Sequence, residues 1–190
     1  MAVREIIRMG HPTLRDAAKP FPEEEIGSQK FQDLVVDLKD TLAATGNGIG
    51  LAAPQINASF RVAVINIPNP VTRYGPVTPM PFTVYVNPRI SIVNEAATGY
   101  WEGCLSVPNM MGFVERPQHI KVEYLDDQGQ AQSIELKGFL ATVFQHEFDH
   151  LDGILYVDRL KDTRLFSFDT EYAAYHLSPN LHGDLDHESD

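Results

Sequence analysis

Four ionisable side chains, His146, Glu147, Asp149 and His150, fall within the largely apolar stretch from Phe139 to Leu151. Leu140, Val143, Phe144, Phe148 and Leu151 recur there at spacings that cover much of a helix circumference, which predicts a buried helix that Gly153 is placed to end. Ionisable groups inside such a helix are costly unless they are paired or bind a metal. The pattern His146-Glu147-Phe148-Asp149-His150 is an HExxH motif, and positions four apart on a helix lie one turn along the same face. Both imidazoles can therefore reach one ion. Glu147, beside the first of them, is placed to take a proton from water and pass it to a leaving amine. Asp149 is rotated away from that face and is assigned to structure.

The rest of the chain has to supply walls around this helix. From Ser28, a candidate N-cap, the residues Phe31, Leu34, Val35, Leu38 and Leu42 recur at helical spacing up to Thr45-Gly46-Asn47-Gly48. Arg61 to Ile67 is rich in β-branched residues and predicts a strand. Five prolines between Pro68 and Pro81 predict a long surface loop or lid. Phe82–Val86 and Arg89–Asn94 are expected as two strands around an Asn87-Pro88 break. His119–Leu125 and Gln130–Leu136 are expected as a hairpin across Asp126-Asp127-Gln128-Gly129. The expected fold is α+β: antiparallel strands wrapped around a central buried helix bearing HExxH, with an additional N-terminal helix. A single catalytic domain is expected over residues 1–164, with residues 165–190 an acidic tail whose last ten residues are disordered.

Composition narrows the partners. The net charge of −11 argues against a broad grip on nucleic acid or anionic lipid, and no apolar run reaches the roughly 20 residues that span a bilayer. The first residues, Met1 to Arg8, lack the apolar stretch of a signal peptide, so a cytoplasmic and bacterial location is expected. The one cysteine, Cys104, cannot form an internal disulfide and suits a reducing compartment.

Two imidazoles need a third ligand. An extended HExxHxxGxxH site fails because Tyr156 stands where the last histidine belongs. Glu171 is a candidate of the thermolysin kind, and would make the chain an endoprotease. Cys104, in Glu102-Gly103-Cys104-Leu105-Ser106-Val107-Pro108, is the better choice. Gly103 allows close backbone approach, and a thiolate with two imidazoles leaves the fourth position open that a catalytic site needs. A purely structural metal module would use four protein ligands, and no fourth is evident.

Three motifs together resemble peptide deformylases: Gly48-Ile49-Gly50-Leu51-Ala52-Ala53-Pro54-Gln55, Glu102-Gly103-Cys104-Leu105-Ser106 and Gln145-His146-Glu147-Phe148-Asp149-His150. The likeness runs from about Ile6 to about Leu160. It implies Cys104, His146 and His150 as metal ligands, Glu147 as acid/base, Gln55 as oxyanion donor assisted by the Leu105 N–H, and Gly48–Gly50 as the holder of the substrate backbone. It implies removal of the formyl group from the formyl-methionine of nascent chains, with Fe(II) as the metal and zinc, nickel or cobalt able to replace it. The methionine side chain is expected near Ile49, Thr142 and Val143. The segments Gly10–Arg15 and His150–Asp158 are closer to a subgroup shared by organellar enzymes and some bacterial paralogues. Asn109-Met110-Met111-Gly112-Phe113 lacks an arginine found there in some bacterial members. Formyl-methionyl peptides are the implied partners, with transient proximity to the ribosome. No direct nucleic-acid contact is expected, because the acidic tail would be repelled by RNA. His11 and His119 are read as structural, His176, His182 and His187 as solvated, and Tyr100 and Trp101 as packing residues, Tyr100 within reach of the pocket.

Overall fold

The computed structural model describes residues 3–69, 71–72 and 75–177. Its elements are helix α1 (Gln29–Ala44), strands β1 (Gly50–Ala52), β2 (Val62–Ile67), β3 (Val71–Thr72), β4 (Gly75–Pro76), β5 (Met80–Cys104), β6 (Val107–Leu125) and β7 (Ala131–Lys137), helix α2 (Phe139–Asp149), strand β8 (Phe166–Phe168) and helix α3 (Asp169–Tyr175). The main sheet runs β1-β2-β5-β6-β7 with β8 on β6, and every pairing in it is antiparallel. The α+β architecture expected from the sequence is the one observed.

β2 shows why the sheet sits where it does. Val62 and Val64 pack with Phe31, Leu38 and Leu42 of α1, whereas Ala63, Ile65 and Ile67 pack with Val143, Phe144 and Phe148 of α2. Side chains alternate between faces along a strand, so a strand covered by a helix on each side must be apolar at both parities. That accounts for the unbroken Val-Ala-Val-Ile run. Phe144 and Tyr85 are fully buried where α2 meets the sheet, with ring centroids 5.1 Å apart. Each large apolar side chain buried there contributes about 1.5–3 kcal/mol. Ser28 caps α1 as expected, its hydroxyl accepting from the Phe31 N–H at 3.3 Å. α2 runs into a 3-10 turn, His150–Asp152, and ends at Gly153, whose φ of 71° is left-handed.

Two segments depart from the sequence expectation, and a third adds elements to it. Asn87 and Pro88 do not divide two strands but lie inside β5, where the pairing shifts between Val86 and Arg89. The irregularity frees the position from donating, which is what a strand proline requires. The Asn87 backbone N–H still donates to the Arg61 carbonyl at 2.8 Å, and its side-chain amide holds Phe21, accepting from the Phe21 N–H at 2.8 Å and donating to its carbonyl at 2.9 Å. Within the proline-rich segment, Val71–Thr72 pairs with Gly75–Pro76 as a short ribbon rather than remaining loop throughout. Beyond residue 164, β8 pairs with Met110–Gly112 and α3 follows, so the segment assigned to the tail begins with ordered elements. The last ten residues lie outside the described ones.

Candidate active site

Cys104 is the last residue of β5 before a two-residue turn, Leu105-Ser106, and Cys104 pairs directly with Val107 of β6. Pro108 does not stop β6, which runs through it from Val107. Two backbone bonds from the N-terminal segment fix this corner. The Ile7 N–H donates to the Gln55 carbonyl at 2.9 Å and the Met9 N–H to the Ser106 carbonyl at 2.8 Å. β5 and α2 then bring the three candidate ligands together. The Cys104 sulfur and one nitrogen each of His146 and His150 lie within 4.8 Å of one another, the only such group of three among the described residues. Cys104 Sγ is 3.3 Å from His150 Nε2. Bonds of about 2.0–2.3 Å in a tetrahedral arrangement require donor atoms about 3.3–3.7 Å apart; the Cys104–His150 pair meets that spacing, and three such donors would leave one tetrahedral position over.

Behind His146 stands a partner to which the sequence motifs gave no role. Glu102 Oε2 accepts from His146 Nδ1 at 2.7 Å, which leaves Nε2 as the nitrogen that faces the other ligands. Arg116 grips the same carboxylate with two bonds, Nε to Oε1 at 2.6 Å and Nη2 to Oε2 at 3.0 Å. Its Nη1 donates to Asp149 at 2.8 Å, and Arg159 joins Asp149 from the outer side. Burial alone would raise Glu102, but its bonds to His146 and Arg116 outweigh it and hold the carboxyl below the usual range. Asp149 is thus structural, as its rotation off the ligand face implied.

The two imidazoles respond oppositely to the same burial. His146 is pulled down by desolvation, yet its hydrogen bonds to Cys104 and Glu102 prevail and hold it well above the ordinary value. His150 has no such carboxylate, and burial with the charges of His146 and Arg116 drives it well below. Its Nδ1 is buried without a hydrogen-bond partner. Glu147 is 6% exposed, burial pushes its carboxyl up to about 7, and its Oε2 also lacks a partner. A Cβ on Gly50 would come within 2.4 Å of Glu147 Oε1, so glycine is required for this carboxyl to lie against β1. A buried carboxyl with an unpartnered oxygen beside three donor atoms is what a site for an ion and a water contains.

Gln55 lies in the 3-10 turn Ala53–Ile56 that follows β1. Its Oε1 accepts from the Ala52 N–H at 2.9 Å, which orients Nε2 toward Ser106 Oγ at 3.2 Å and Cys104 Sγ at 3.6 Å. Gly48, Gly50, Gln55, Cys104 and Leu105 line one cavity with His146 and Glu147. An adjoining apolar cavity is lined by Ile49, Phe139, Thr142 and Val143, with Trp101 at its margin. Of the site residues proposed from the sequence, all but His150, which lies behind Cys104, border one of these two connected spaces.

Other residues stay outside. Glu171 lies on α3, does not join the ligand cluster and accepts from Thr170, which removes the third ligand an endoprotease reading needs. Tyr100 packs on Phe139, with centroids 5.3 Å apart, and does not line the pocket. His119 meets exposed Glu135, and His11 accepts from the Thr13 N–H. His176 rests on Trp101, while His182 and His187 lie outside the described residues. Glu102 could have been found: two residues before Cys104 on a strand, it must share that residue's face. Arg116 carries no such signal.

A helix supplying two imidazoles and a carboxylate, closed by a strand-end thiol with one coordination position left free, defines a metallohydrolase. Which family it represents follows from its relatives. The polypeptide deformylase family model matches residues 3–165. A peptide deformylase of Leptospira biflexa is 40% identical over 171 residues, covering 90% of this chain and 95% of that one. A Met-Ala-Ser-bound class I type b peptide deformylase of Acinetobacter baumannii superposes with a TM-score of 0.75 at 36% identity, covering 84% of this chain and 99% of that one. The actinonin complex of the Ehrlichia chaffeensis peptide deformylase gives 0.75 at 33% identity, covering 86% and 92%. The chain belongs to the polypeptide deformylase family, a family of metal-dependent hydrolases. Among the described residues, no helix is long and apolar enough to cross a membrane.

Proposed function

We propose that this chain removes the formyl group from the N-terminal formyl-methionine of nascent polypeptides, releasing formate. The observation that carries the reading is Glu147, buried against Gly50 with an unpartnered oxygen, beside the Cys104–His146–His150 donor set. A divalent ion held by those three residues supplies Lewis acidity that polarises a carbonyl and acidifies water. Fe(II) is the proposed metal, and the same mixed sulfur–nitrogen set accepts zinc, nickel or cobalt.

Glu147 takes the proton of the attacking water and returns it to the amine nitrogen as the formyl carbon–nitrogen bond breaks. Gln55 Nε2 and the Leu105 N–H donate to the carbonyl oxygen as negative charge gathers on it. Glu102 holds His146 in one tautomer, so the ligand field is set before substrate arrives. Ile49, Thr142 and Val143 receive the methionine side chain. β1 ends the sheet, so its outer edge is open for the substrate backbone to lie along Gly48–Gly50 as an added strand. The acidic chain offers no grip on RNA, and proximity to the ribosome is limited to encounter with the emerging peptide, in the cytoplasm.

The test is formate release from formyl-Met-Ala-Ser by protein purified under reducing, oxygen-free conditions. One formate per peptide is expected, with the product identified as Met-Ala-Ser. Internal cleavage of the peptide, or no turnover with a full complement of metal, would remove this reading.

A further inference from the structure

The family match ends at residue 165, yet the structure continues into β8 and α3. This extension is docked in two independent ways. Met110 pairs with Phe168, Met111 with Ser167 and Gly112 with Phe166. Further along, Tyr172 and His176 stack on Trp101, with centroids 4.9 and 4.7 Å away. Between those anchors, Asp169 is carried to the rim of a groove of about 230 Å³.

That groove shares Asn47, Gly103, Cys104 and Leu105 with the cavity that holds Glu147, so the two are continuous. Beyond the shared rim its lining is apolar or neutral, including Val107, Pro108 and Met110. Asp169 is the only Asp, Glu, Lys or Arg among the residues that line it. A peptide whose formyl group sits at the metal ligands, with its methionine side chain against Ile49 and Val143, has this groove as a way onward. Thioether and proline surfaces accommodate the alkyl stem of a long side chain, and a carboxylate at the rim favours a cation at its tip. The net charge of −11 acts in the same sense on approaching peptides.

We propose that the C-terminal extension is a specificity element, in which Asp169 selects substrates with a basic residue at one of the two positions after the formyl-methionine. The proposal rests on the deformylase reading for its substrate but concerns a different group of residues. It is tested with formyl-Met-Lys-Ala-amide and formyl-Met-Ala-Lys-amide against their Glu counterparts, amidated so that no terminal carboxylate interferes.

At low ionic strength the Lys peptides are expected to exceed the Glu peptides in kcat/KM by roughly two- to fivefold, the span of one exposed ion pair, mostly through KM. The ratio falls to about one in Asp169→Asn and inverts in Asp169→Lys. It persists in Glu171→Gln, which removes an acid of the same helix that does not line the groove. An unchanged ratio in Asp169→Asn, or an equal loss in Glu171→Gln, overturns the proposal. If no formyl peptide is turned over, the deformylase reading has failed by itself, and the groove is read by calorimetric binding of Met-Ala-Lys-amide and Met-Ala-Glu-amide. A Lys preference that Asp169→Asn abolishes then upholds the proposal, and equal binding of the two peptides overturns it.

Discussion

Two sets of buried charges border α2, and they are handled in opposite ways. Toward β6, Glu102, Arg116 and Asp149 match donors to acceptors, with Arg159 completing the set from outside. Toward β1, Glu147 and His150 each keep a buried atom without a partner. Both sets are desolvated, so burial alone does not distinguish a scaffold from a reaction site. Satisfaction does: the first set has its charged groups paired, and the second keeps an unmet Glu147 oxygen beside the three candidate ligands. His146 joins them, giving its Nδ1 to the saturated side and turning its other nitrogen to the open one.

The comparison can be broken most severely by stripping the metal. Chelation is expected to abolish formate release and lower the melting temperature, and added Fe(II), cobalt or nickel should restore both. Full activity in metal-depleted protein, checked by elemental analysis, would contradict the open side's role. Next in size is Glu147→Gln. It should lower kcat by about 10²–10⁴-fold, the usual contribution of a positioned acid/base. Metal content should hold, and the melting temperature of the metal-free form should not fall, since a buried carboxyl has been replaced by a neutral amide. A large loss of stability would place Glu147 with the scaffold instead.

Arg116→Leu attacks the saturated side. Removing one member of a buried, hydrogen-bonded charge network should cost about 3–5 kcal/mol of folding stability by urea denaturation. A cost below about 1 kcal/mol, the level of a surface pair, would mean the network does not hold α2 in place. Gln55→Ala should raise the barrier by about 2.7–4 kcal/mol with KM little changed, as expected on losing one oxyanion donor. A kcat within about twofold of wild type, far from that figure, would return Gln55 to a purely structural role. The smallest effect belongs to the exposed His119–Glu135 pair, where Glu135→Gln should change stability by less than about 1 kcal/mol.

The two sides also differ in how much of them could be read from the chain. The open side lies in short motifs whose periodicity carries the geometry: His146 and His150 four apart on a helix, Glu147 beside them, one cysteine to complete the set. The saturated side depends on β5–β6 register. Arg116 stands opposite Thr98, and reaches Glu102 only because its guanidinium runs along the strand face. No local pattern encodes that reach. α1 and β2 were legible because apolar spacing matches their packing faces. β8 and α3 were not: three and seven residues are too short to show a period, and what docks them is pairing to Met110–Gly112 and the Trp101 ring. Asn87-Pro88 misled because β5 takes up the proline at a shift of register instead of ending there.

The placement of Cys104 at the tip of a hairpin has a consequence for how the protein matures. Its sulfur meets His150 Nε2 across 46 residues of chain, most of them the return strand and the hairpin beyond it. Contacts of that sequence separation form late, because loop closure precedes any gain from them. The ion can be captured only once the β6–β7 hairpin has closed and α2 has seated, so a chain emerging from synthesis passes through a period with its thiol uncoordinated. Oxidants met in that interval would compete with the metal for the same sulfur, and the yield of active protein becomes a race between folding and oxidation.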